Sequence, residues 1–286
     1  MSYRILTDSC CDFTKERYEE LGLHALPLAV TFRGETYPDR NDGSLKTFYD
    51  GLRAGEPATT SAVNPQQWED AMVSVLEGGE DVLALTFSSG LSTTYQSAVI
   101  AAEELRERYP HRDIRVLDSR GASLGEGLVV REAAHLAQQG ADMDTITARA
   151  SELCGKMRQL FVVDDLKFLR KGGRLSGAAA LAGTLLQIKP ILEGDPEGKI
   201  VVHSKERGRK KAMEQLIRLY QELVEDKSRP VGISHAAAPA EALHLATELR
   251  QAGCTGEILS VCHEPVTGAH VGPGMLALYF YSASWR

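Results

Sequence analysis

The amino-acid sequence predicts a two-domain α/β protein with a parallel sheet in its N-terminal domain. The chain has 286 residues, which corresponds to about two domains at roughly 150 residues each. Apolar runs typical of strands alternate with helical runs, as in parallel βαβ units. The composition changes after Met157. We therefore expect an N-terminal α/β domain of residues 1–155 and a C-terminal α/β domain of residues 156–286.

The N-terminal half shows the clearest alternation of strands and helices. Its predicted strands are residues 3–9, 26–32, 81–87 and 114–117. Its predicted helices are residues 14–21, 44–54, 65 onward, 91–109, 124–139 and 143–157. The helix after Asn64 has the strongest start signal, because Asn64 is a favoured N-cap, Pro65 suits the first helical position and Gln67 completes a capping box. Arg33-Gly34 predicts a hairpin turn.

The C-terminal half is predicted to continue with a second alternation. Its predicted strands are residues 160–163, 199–203, 231–234, 257–262 and 275–281. Its predicted helices are residues 164–171, 177–186, 207–224 and 238–251. Gly172-Gly173 ends the first of these helices, and Ser176 caps the next, which is rich in small residues. The Asp, Pro and Gly at residues 195–198 predict a turn.

The composition excludes several classes of protein. The chain has 32 basic and 39 acidic residues, a formal net charge of −7, so it lacks the positive field of a general nucleic-acid binder. The longest uncharged run, residues 175–188, is shorter than the roughly 20 residues that cross a bilayer, and no secretory signal is visible. The five cysteines form no CxxC pair, so we expect no disulfide framework, no metal site and a reducing, cytoplasmic location.

Acidic and hydroxyl residues follow three predicted strands, at residues 8–9, 88–89 and 118–119. The carboxyl ends of parallel strands form the ligand-binding edge of open α/β sheets. The segment SSGLST places Ser88, Ser89 and Gly90 directly before a predicted helix. A helix N-terminus binds anions, and a glycine lets the backbone approach a ligand closely. This segment therefore predicts an anion site.

Two further groups are candidates for the same site. Thr60 and Ser61 form a second hydroxyl cluster beside the capped helix. His270 lies in the Gly- and Pro-rich segment GAHVGPG, where it can donate a hydrogen bond to an anion. Its ordinary pKa of about 6.5 allows both charge states near neutral pH.

Two basic clusters stand out in this net acidic chain. One is the segment LKFLRKGGRL, which contains Arg174, and the other contains Arg207, Arg209 and Lys210. Such clusters are usually solvated helix faces, but they can also dock an acidic partner.

The residues alone leave the ligand and the chemistry open. The SSGLST segment suits a phosphate as well as a carboxylate, so a phosphosugar-binding enzyme or sensor is one alternative. Nucleophilic catalysis by Ser89 with His270 is another alternative. It would need an orienting acid, for which Asp8 and Asp118 are the candidates.

Nine segments in the same order resemble the DegV family of bacterial fatty-acid-binding proteins. They cover nearly the whole chain and are ILTDSCCD, TTSAVNP, LTFSSGLSTTYQSA, VLDSRGASLGEG, LKFLRKGGRL, IKPIL, GKIVVHSKERGRKKA, ISHAAAPAEA and HVGPG. Each segment is a weak signal singly, whereas nine in order are specific. The chain has Ala62-Val63 where the family often has Gln-Pro after the Thr-Ser pair.

The resemblance implies a two-domain α/β fold that holds a long-chain fatty acid between its domains, without a cofactor. Carried over by position, the fatty acid carboxylate would contact Thr60 or Ser61, Ser88 or Ser89, the amide of Gly90, and His270. Residues 177–186 are a candidate lining for the tail.

Some family members are the binding subunits of bacterial fatty acid kinase. In those systems a separate kinase subunit phosphorylates the presented carboxylate to an acyl phosphate. The resemblance therefore implies a protein without catalytic residues of its own. The candidate contacts for such a kinase subunit are Arg174, Arg207, Arg209 and Lys210.

Overall fold

The computed structural model of the chain describes residues 2–39, 45–175 and 188–284. The strands of the N-terminal half are β1 (Tyr3–Asp8), β2 (His24–Leu26), β3 (Ala29–Phe32), β4 (Glu35–Pro38), β5 (Ala58–Ser61), β6 (Asp81–Thr86) and β7 (Ile114–Asp118). Its helices are α1 (Lys15–Glu20), α2 (Leu45–Arg53), α3 (Pro65–Glu77), α4 (Thr94–Arg108), α5 (Leu124–Gln138) and α6 (Met143–Lys156). The predicted helix start at Ser44 and the predicted helix 177–186 with its Ser176 cap lie outside the described residues.

A four-stranded parallel sheet forms the centre of the N-terminal half, in the order β2-β1-β6-β7. Strand β6 is buried along its whole length, and helices α3 and α4 pack against it. A parallel strand covered on both faces needs a continuous apolar sequence, which the run VLAL supplies. The predicted parallel α/β sheet is confirmed.

The predicted strand 26–32 is instead two strands that belong to different sheets. Pro27 separates β2 from β3 and has no N–H to donate to a ladder. Strand β3 pairs with β4 across Arg33-Gly34, where both residues have positive φ, as a tight hairpin turn requires. On its other edge β3 pairs with β5, so the hydroxyl cluster at Thr60 lies in a short strand that its polar sequence does not predict.

Helix α4 begins later than predicted, at Thr94 rather than directly after Gly90. The amides of Leu91 and Ser92 both donate to the carbonyl of Ser88, which closes one separate turn before the helix. The N-cap of α4 is Thr93, whose side chain makes no capping hydrogen bond. Ser88, Ser89 and Gly90 therefore do not form the first turn of this helix.

The predicted capping box at Asn64 is confirmed. Asn64 Oδ1 accepts from the amide of Gln67 at 2.9 Å, and Gln67 Oε1 accepts from the amide of Asn64 at 3.0 Å. Pro65 occupies the first helical position. These signals are local in sequence, so the start of α3 could be predicted to the residue.

The C-terminal half is built on a six-stranded sheet in the order β10-β9-β8-β13-β11-β12. Its strands are β8 (Met157–Val162), β9 (Ile188–Gly194), β10 (Ile200–Arg207), β11 (Val231–His235), β12 (Ile258–Cys262) and β13 (Leu276–Tyr281). Its helices are α7 (Lys167–Gly172), α8 (Arg209–Leu223), α9 (Pro239–Gln251) and α10 (Pro265–Val271). Only β11 and β12 are parallel neighbours in this sheet. Helix α8 begins at Arg209 because β10 continues in its ladder with β9 as far as Arg207.

The hydrophobic core joins the two halves of the chain. The main cluster includes Leu6 and Val129 from the N-terminal half together with Leu192 and Met275 from the C-terminal half. A second cluster belongs to the C-terminal half alone. Helix α6 ends at Lys156 and β8 begins at the next residue, close to the proposed boundary at 155, but the division into two domains stays a prediction.

Among the described residues, no helix is long and apolar enough to cross a bilayer. All five cysteines are free thiols, and four of them are buried.

Candidate ligand-binding site

A cavity of about 230 Å³ lies between the two halves of the chain. Strand β5 and the segment after β6 contribute to its wall from the N-terminal half. Strands β8 and β13 with helices α7 and α10 contribute from the C-terminal half. Its apolar lining includes Leu28, Phe87, Phe161, Leu169, Ile200 and Met275.

One side of the cavity is polar and adjoins a second cavity. Thr60, Arg174 and His270 line both spaces, and the second cavity measures about 510 Å³. Its wall also carries Lys167 and Lys171 of α7. A ligand head group held at the junction would therefore face a basic cleft.

Thr60 and His270 form the central contact of this polar side. Thr60 Oγ1 and His270 Nε2 are 2.8 Å apart, within hydrogen-bonding distance. Pairing with β3 fixes Thr60, because Val30 lies opposite it in the ladder. Helix α10 carries His270 near its C-terminal end. The contact thus brings together a strand and a helix from opposite halves of the chain.

The His270 imidazole is neutral at ordinary pH. Burial, together with the nearby positive charge of Arg174, lowers its pKa to about 4. The ring also packs closely against α7, where a Cβ at Gly172 would overlap His270 Nδ1. Glycine at position 172 is therefore required for the observed position of the ring.

Arg174 lies in the cavity wall rather than in an exposed basic patch. Its Nε donates to the carbonyl of Leu91 at 3.0 Å, and its Nη1 donates to the carbonyl of Gly172 at 2.5 Å. These bonds hold the guanidinium beside the Thr60–His270 pair, where it supplies a positive charge. The sequence places Arg174 in a basic cluster but does not reveal that it faces the cavity.

The predicted ligand residues divide into two groups. Thr60, Ser61 and His270 line the cavity, whereas Ser88, Ser89 and Gly90, all within the described chain, are not part of its lining. The hydroxyls nearest to that prediction that do line it are Ser92 and Thr93. Ligand contact stays a prediction for each of these residues.

Contacts with distant segments explain where the serines of the 88–90 segment point. Ser88 Oγ donates to the carbonyl of Gly198 at 2.8 Å, and Ser89 Oγ donates to Asp118 Oδ2 at 2.5 Å. A Cβ at Gly90 would lie 2.7 Å from the backbone of Gly198. The segment therefore packs against the turn between β9 and β10.

The serine-nucleophile alternative is not assembled in this structure. Ser89 bonds Asp118 rather than His270, and His270 bonds Thr60. The other suggested acid, Asp8, accepts hydrogen bonds from the amides of Cys10 and Phe87. Burial raises the pKa of Asp8 to about 7.

Sequence inspection misses a Gly-x-Ser-x-Gly pattern at residues 121–125. It lies between β7 and α5, and Ser123 has a positive φ of 55°, as a strained serine at a strand-to-helix turn can have. Ser123 is fully buried and is not among the described residues that line the cavity. Its position therefore does not suit attack on a ligand bound there.

Sequence inspection also misses a buried polar network behind the cavity. His263 lines the cavity; its Nδ1 lies 2.5 Å from Asp12 Oδ2 and its Nε2 lies 3.2 Å from Ser234 Oγ. Gln159, also in the lining, accepts from the amide of Ala122 and donates to a backbone carbonyl. These wall groups already have protein partners, as buried polar groups require.

The fold and site define an α/β protein that encloses a ligand cavity between two sheet-containing halves, with an apolar lining and one polar side. The family model of DegV proteins, described as uncharacterised, matches residues 2–283, and the chain belongs to that family. A DegV domain-containing protein of Clostridium perfringens is 37% identical over 279 residues, covering 96% of each chain.

Solved structures of the family have the same fold. A fatty-acid-binding DegV family protein from Thermus thermophilus matches with a TM-score of 0.89 at 32% identity, covering 99% of this chain and all of the other. DegV from Bacillus subtilis, a fatty acid binding protein, matches with a TM-score of 0.85 at 32% identity, covering 99% of each chain. The family and the fold class predicted from the sequence are confirmed.

Replacing His270 with glutamine is expected to reduce the acid sensitivity of the protein. The pKa of His270 is about 4 in the folded chain and about 6.5 in the unfolded chain. The unfolded chain therefore binds more protons in this window, and the free energy of unfolding falls as the pH decreases through it. Between pH 7 and pH 4, His270 lowers the free energy of unfolding by about 3 kcal/mol.

Urea unfolding of the wild type and His270→Gln at several pH values between 4 and 7 measures this difference. The exposed His111→Gln variant controls for the loss of one imidazole. Parallel pH profiles for the wild type and His270→Gln would contradict the assigned environment.

Proposed function

We propose that this protein is a non-catalytic carrier that binds a long-chain fatty acid in the cavity. The observation that carries the proposal is an apolar cavity whose polar side combines Thr60, His270 and the guanidinium of Arg174. Family membership supports it, because the solved relatives from Thermus thermophilus and Bacillus subtilis are described as fatty-acid-binding proteins.

Burial of the tail accounts for affinity in this proposal. A 16-carbon acid has about 14 methylenes, and roughly 0.8 kcal/mol for each one buried gives an upper bound near 11 kcal/mol. Ordering the chain and the loss of translational freedom reduce this value. Burial of the tail against the apolar lining is therefore the main source of affinity in this proposal.

The polar side sets the orientation of the fatty acid. A buried carboxylate is costly unless it is hydrogen-bonded and compensated in charge. We assign these roles to the Thr60 and Ser61 hydroxyls, to His270 and to Arg174. The 88–90 segment then has an indirect role, because it holds Ser92 and Thr93 in the cavity wall.

A phosphosugar-binding protein is supported less well. That alternative relied on SSGLST as the first turn of a helix, whereas α4 begins at Thr94. It also calls for a polar pocket, and the cavity has Phe87, Phe161 and Met275 in its wall.

Protein purified without detergent is expected to contain close to one fatty acid per chain. Extraction with organic solvent and mass spectrometry, against a mock preparation, measures this content. Native mass spectrometry reports the occupancy. An empty extract with the native mass of the bare chain, together with thermal stabilisation by sugar phosphates, would favour the phosphosugar alternative instead.

Thr60→Val should weaken fatty acid binding while preserving side-chain volume. The variant removes a hydroxyl beside the proposed carboxylate, and a hydrogen bond to a charged group contributes enough for a loss of about tenfold or more. Thr247→Val is the matched control, because the exposed Thr247 hydroxyl donates to the carbonyl of Leu243 within α9, outside the cavity. Calorimetric titration of delipidated protein with palmitate measures the Kd of both variants. Equal losses of affinity in the two variants would contradict this site assignment.

We further propose that the carrier is cytoplasmic and presents the carboxylate to a separate kinase subunit, which converts it to an acyl phosphate. In this proposal the kinase subunit reaches the carboxylate through the basic cleft beside Thr60 and His270. Arg207 and Lys210 are exposed and suit contact with an acidic partner. Arg209 is less available, because it pairs with Glu241 and donates to the carbonyl of Gly274.

The double variant Arg207→Glu/Lys210→Glu should slow acyl phosphate formation about tenfold or more when the protein is mixed with fatty acid kinase subunit and ATP, since it reverses two charges at the proposed interface. Fatty acid content, measured by mass spectrometry, is expected to stay unchanged. The double variant Lys15→Glu/Lys46→Glu, at exposed positions of α1 and α2, controls for the same change in net charge. A normal rate in the double variant would exclude this surface as the docking site.

A further inference from the structure

Helix α10 connects the proposed head-group site to a buried acidic network. The helix spans Pro265–Val271 and carries His270 near its C-terminal end. Its N-terminal end is held by carboxyl groups that come from the N-terminal half of the chain. Residues of the N-terminal half therefore contact α10 at both of its ends.

Two buried aspartates bond the backbone at the start of α10. Asp39 Oδ1 accepts from the amide of Val266 at 2.9 Å, and Asp12 Oδ1 accepts from the amide of Glu264 at 3.1 Å. Both aspartates are 3% exposed. The N-cap residue Glu264 makes no side-chain capping bond, so these bonds from another segment serve that role.

Asp39 is itself held in place. Its Oδ2 accepts from Ser9 Oγ at 2.9 Å, and Ser9 Oγ in turn accepts from the amide of Leu28 at 3.1 Å. The backbone amide of Asp39 donates to the carbonyl of Leu28 at 2.7 Å. The carboxyl group is therefore held in place and can anchor the start of α10.

The other end of α10 tolerates little movement. His270 must stay within hydrogen-bonding distance of Thr60 on one side and is packed against Gly172 on the other. A helix of seven residues is only about 10 Å long, so a shift or rotation at Val266 reaches His270 within two turns. The position of the imidazole depends on how the helix start is anchored.

We infer that Asp39 is a positioning residue for the head-group site, acting through α10 to place His270 against Thr60. The role in ligand binding rests on the proposed fatty acid function, whereas the placement of His270 does not. Asp12 shares the anchoring but also pairs with His263, so its replacement would disturb a second contact. Asp39 is the cleaner residue to test.

Asparagine is a close substitute at this position. Burial is the largest cause that raises the pKa of Asp39, to about 8, so loss of the negative charge is a smaller change here than at an exposed aspartate. The amide of Asp39→Asn retains an oxygen that can accept from Val266, and its NH₂ group can donate to Ser9 Oγ once the Ser9 hydroxyl rotates. Asp39→Ala removes both contacts.

The test compares Asp39→Ala, Asp39→Asn and Asp81→Ala. Asp81 is the matched control, because it is also 3% exposed and accepts a backbone hydrogen bond, from Asp113 at 3.1 Å, but it lies in β6. NMR titration of ligand-free protein measures the pKa of His270, whose resonance is assigned with His270→Gln. Calorimetric titration of delipidated protein measures the Kd for palmitate.

Asp39→Ala is expected to raise the pKa of His270 by about one unit or more toward its ordinary value, since the ring becomes more exposed. It is also expected to weaken palmitate binding about tenfold. Asp39→Asn should keep both properties near wild type. Asp81→Ala should lower thermal stability without changing the pKa of His270 or the Kd for palmitate. If Asp39→Ala does not fold, Ser9→Ala replaces it, with smaller shifts expected in the same directions.

The possible results separate this inference from the proposed function. Wild-type His270 titration and wild-type Kd in Asp39→Ala, or equal losses in Asp81→Ala, would overturn the positioning role. If the wild type binds no palmitate but Asp39→Ala still shifts the His270 titration, the proposed function fails and the placement of His270 by Asp39 stands.

Discussion

The hydrogen bond between Thr60 and His270 joins residues that are 210 positions apart in the chain. It closes the polar side of the cavity by linking strand β5 of the N-terminal half to helix α10 of the C-terminal half. Several other features hold these two residues in position. Pairing with β3 holds Thr60, Gly172 leaves room for the imidazole, and buried carboxyl groups hold the start of α10. The polar side of the cavity is thus formed only when the two halves are packed together.

Burial determines the charge states around the site, and it acts in opposite directions on acids and on the histidine. Burial raises the pKa of Asp8 to about 7 and that of Asp39 to about 8. It also raises the pKa of Glu126 well above its ordinary value. The stability associated with these neutral carboxyls is present in acid and decreases as the pH rises from about 4 toward the folded pKa values. His270 contributes the opposite dependence, because its depressed pKa reduces stability as the pH falls.

In the proposed fatty acid carrier, the division between tail and head-group contacts follows from the same physics. Apolar side chains of both halves can enclose a hydrocarbon tail because its burial needs no directional contact. The polar side differs, since each hydroxyl or imidazole there must be oriented. Small changes in the placement of α10 or of the segment after β6 would therefore alter head-group contacts before they alter tail burial.

The sequence by itself determined the parallel α/β character, the capping box at Asn64, the hairpin at Arg33-Gly34 and the family, because these depend on local patterns and on the order of short motifs. Tertiary structure decided which polar residues face the cavity. Ser88 is turned away by the carbonyl of Gly198, 110 residues later, and Arg174 is turned inward by its bond to the carbonyl of Leu91, 83 residues earlier. Such orientations depend on partners that are distant in sequence, and no local pattern encodes them.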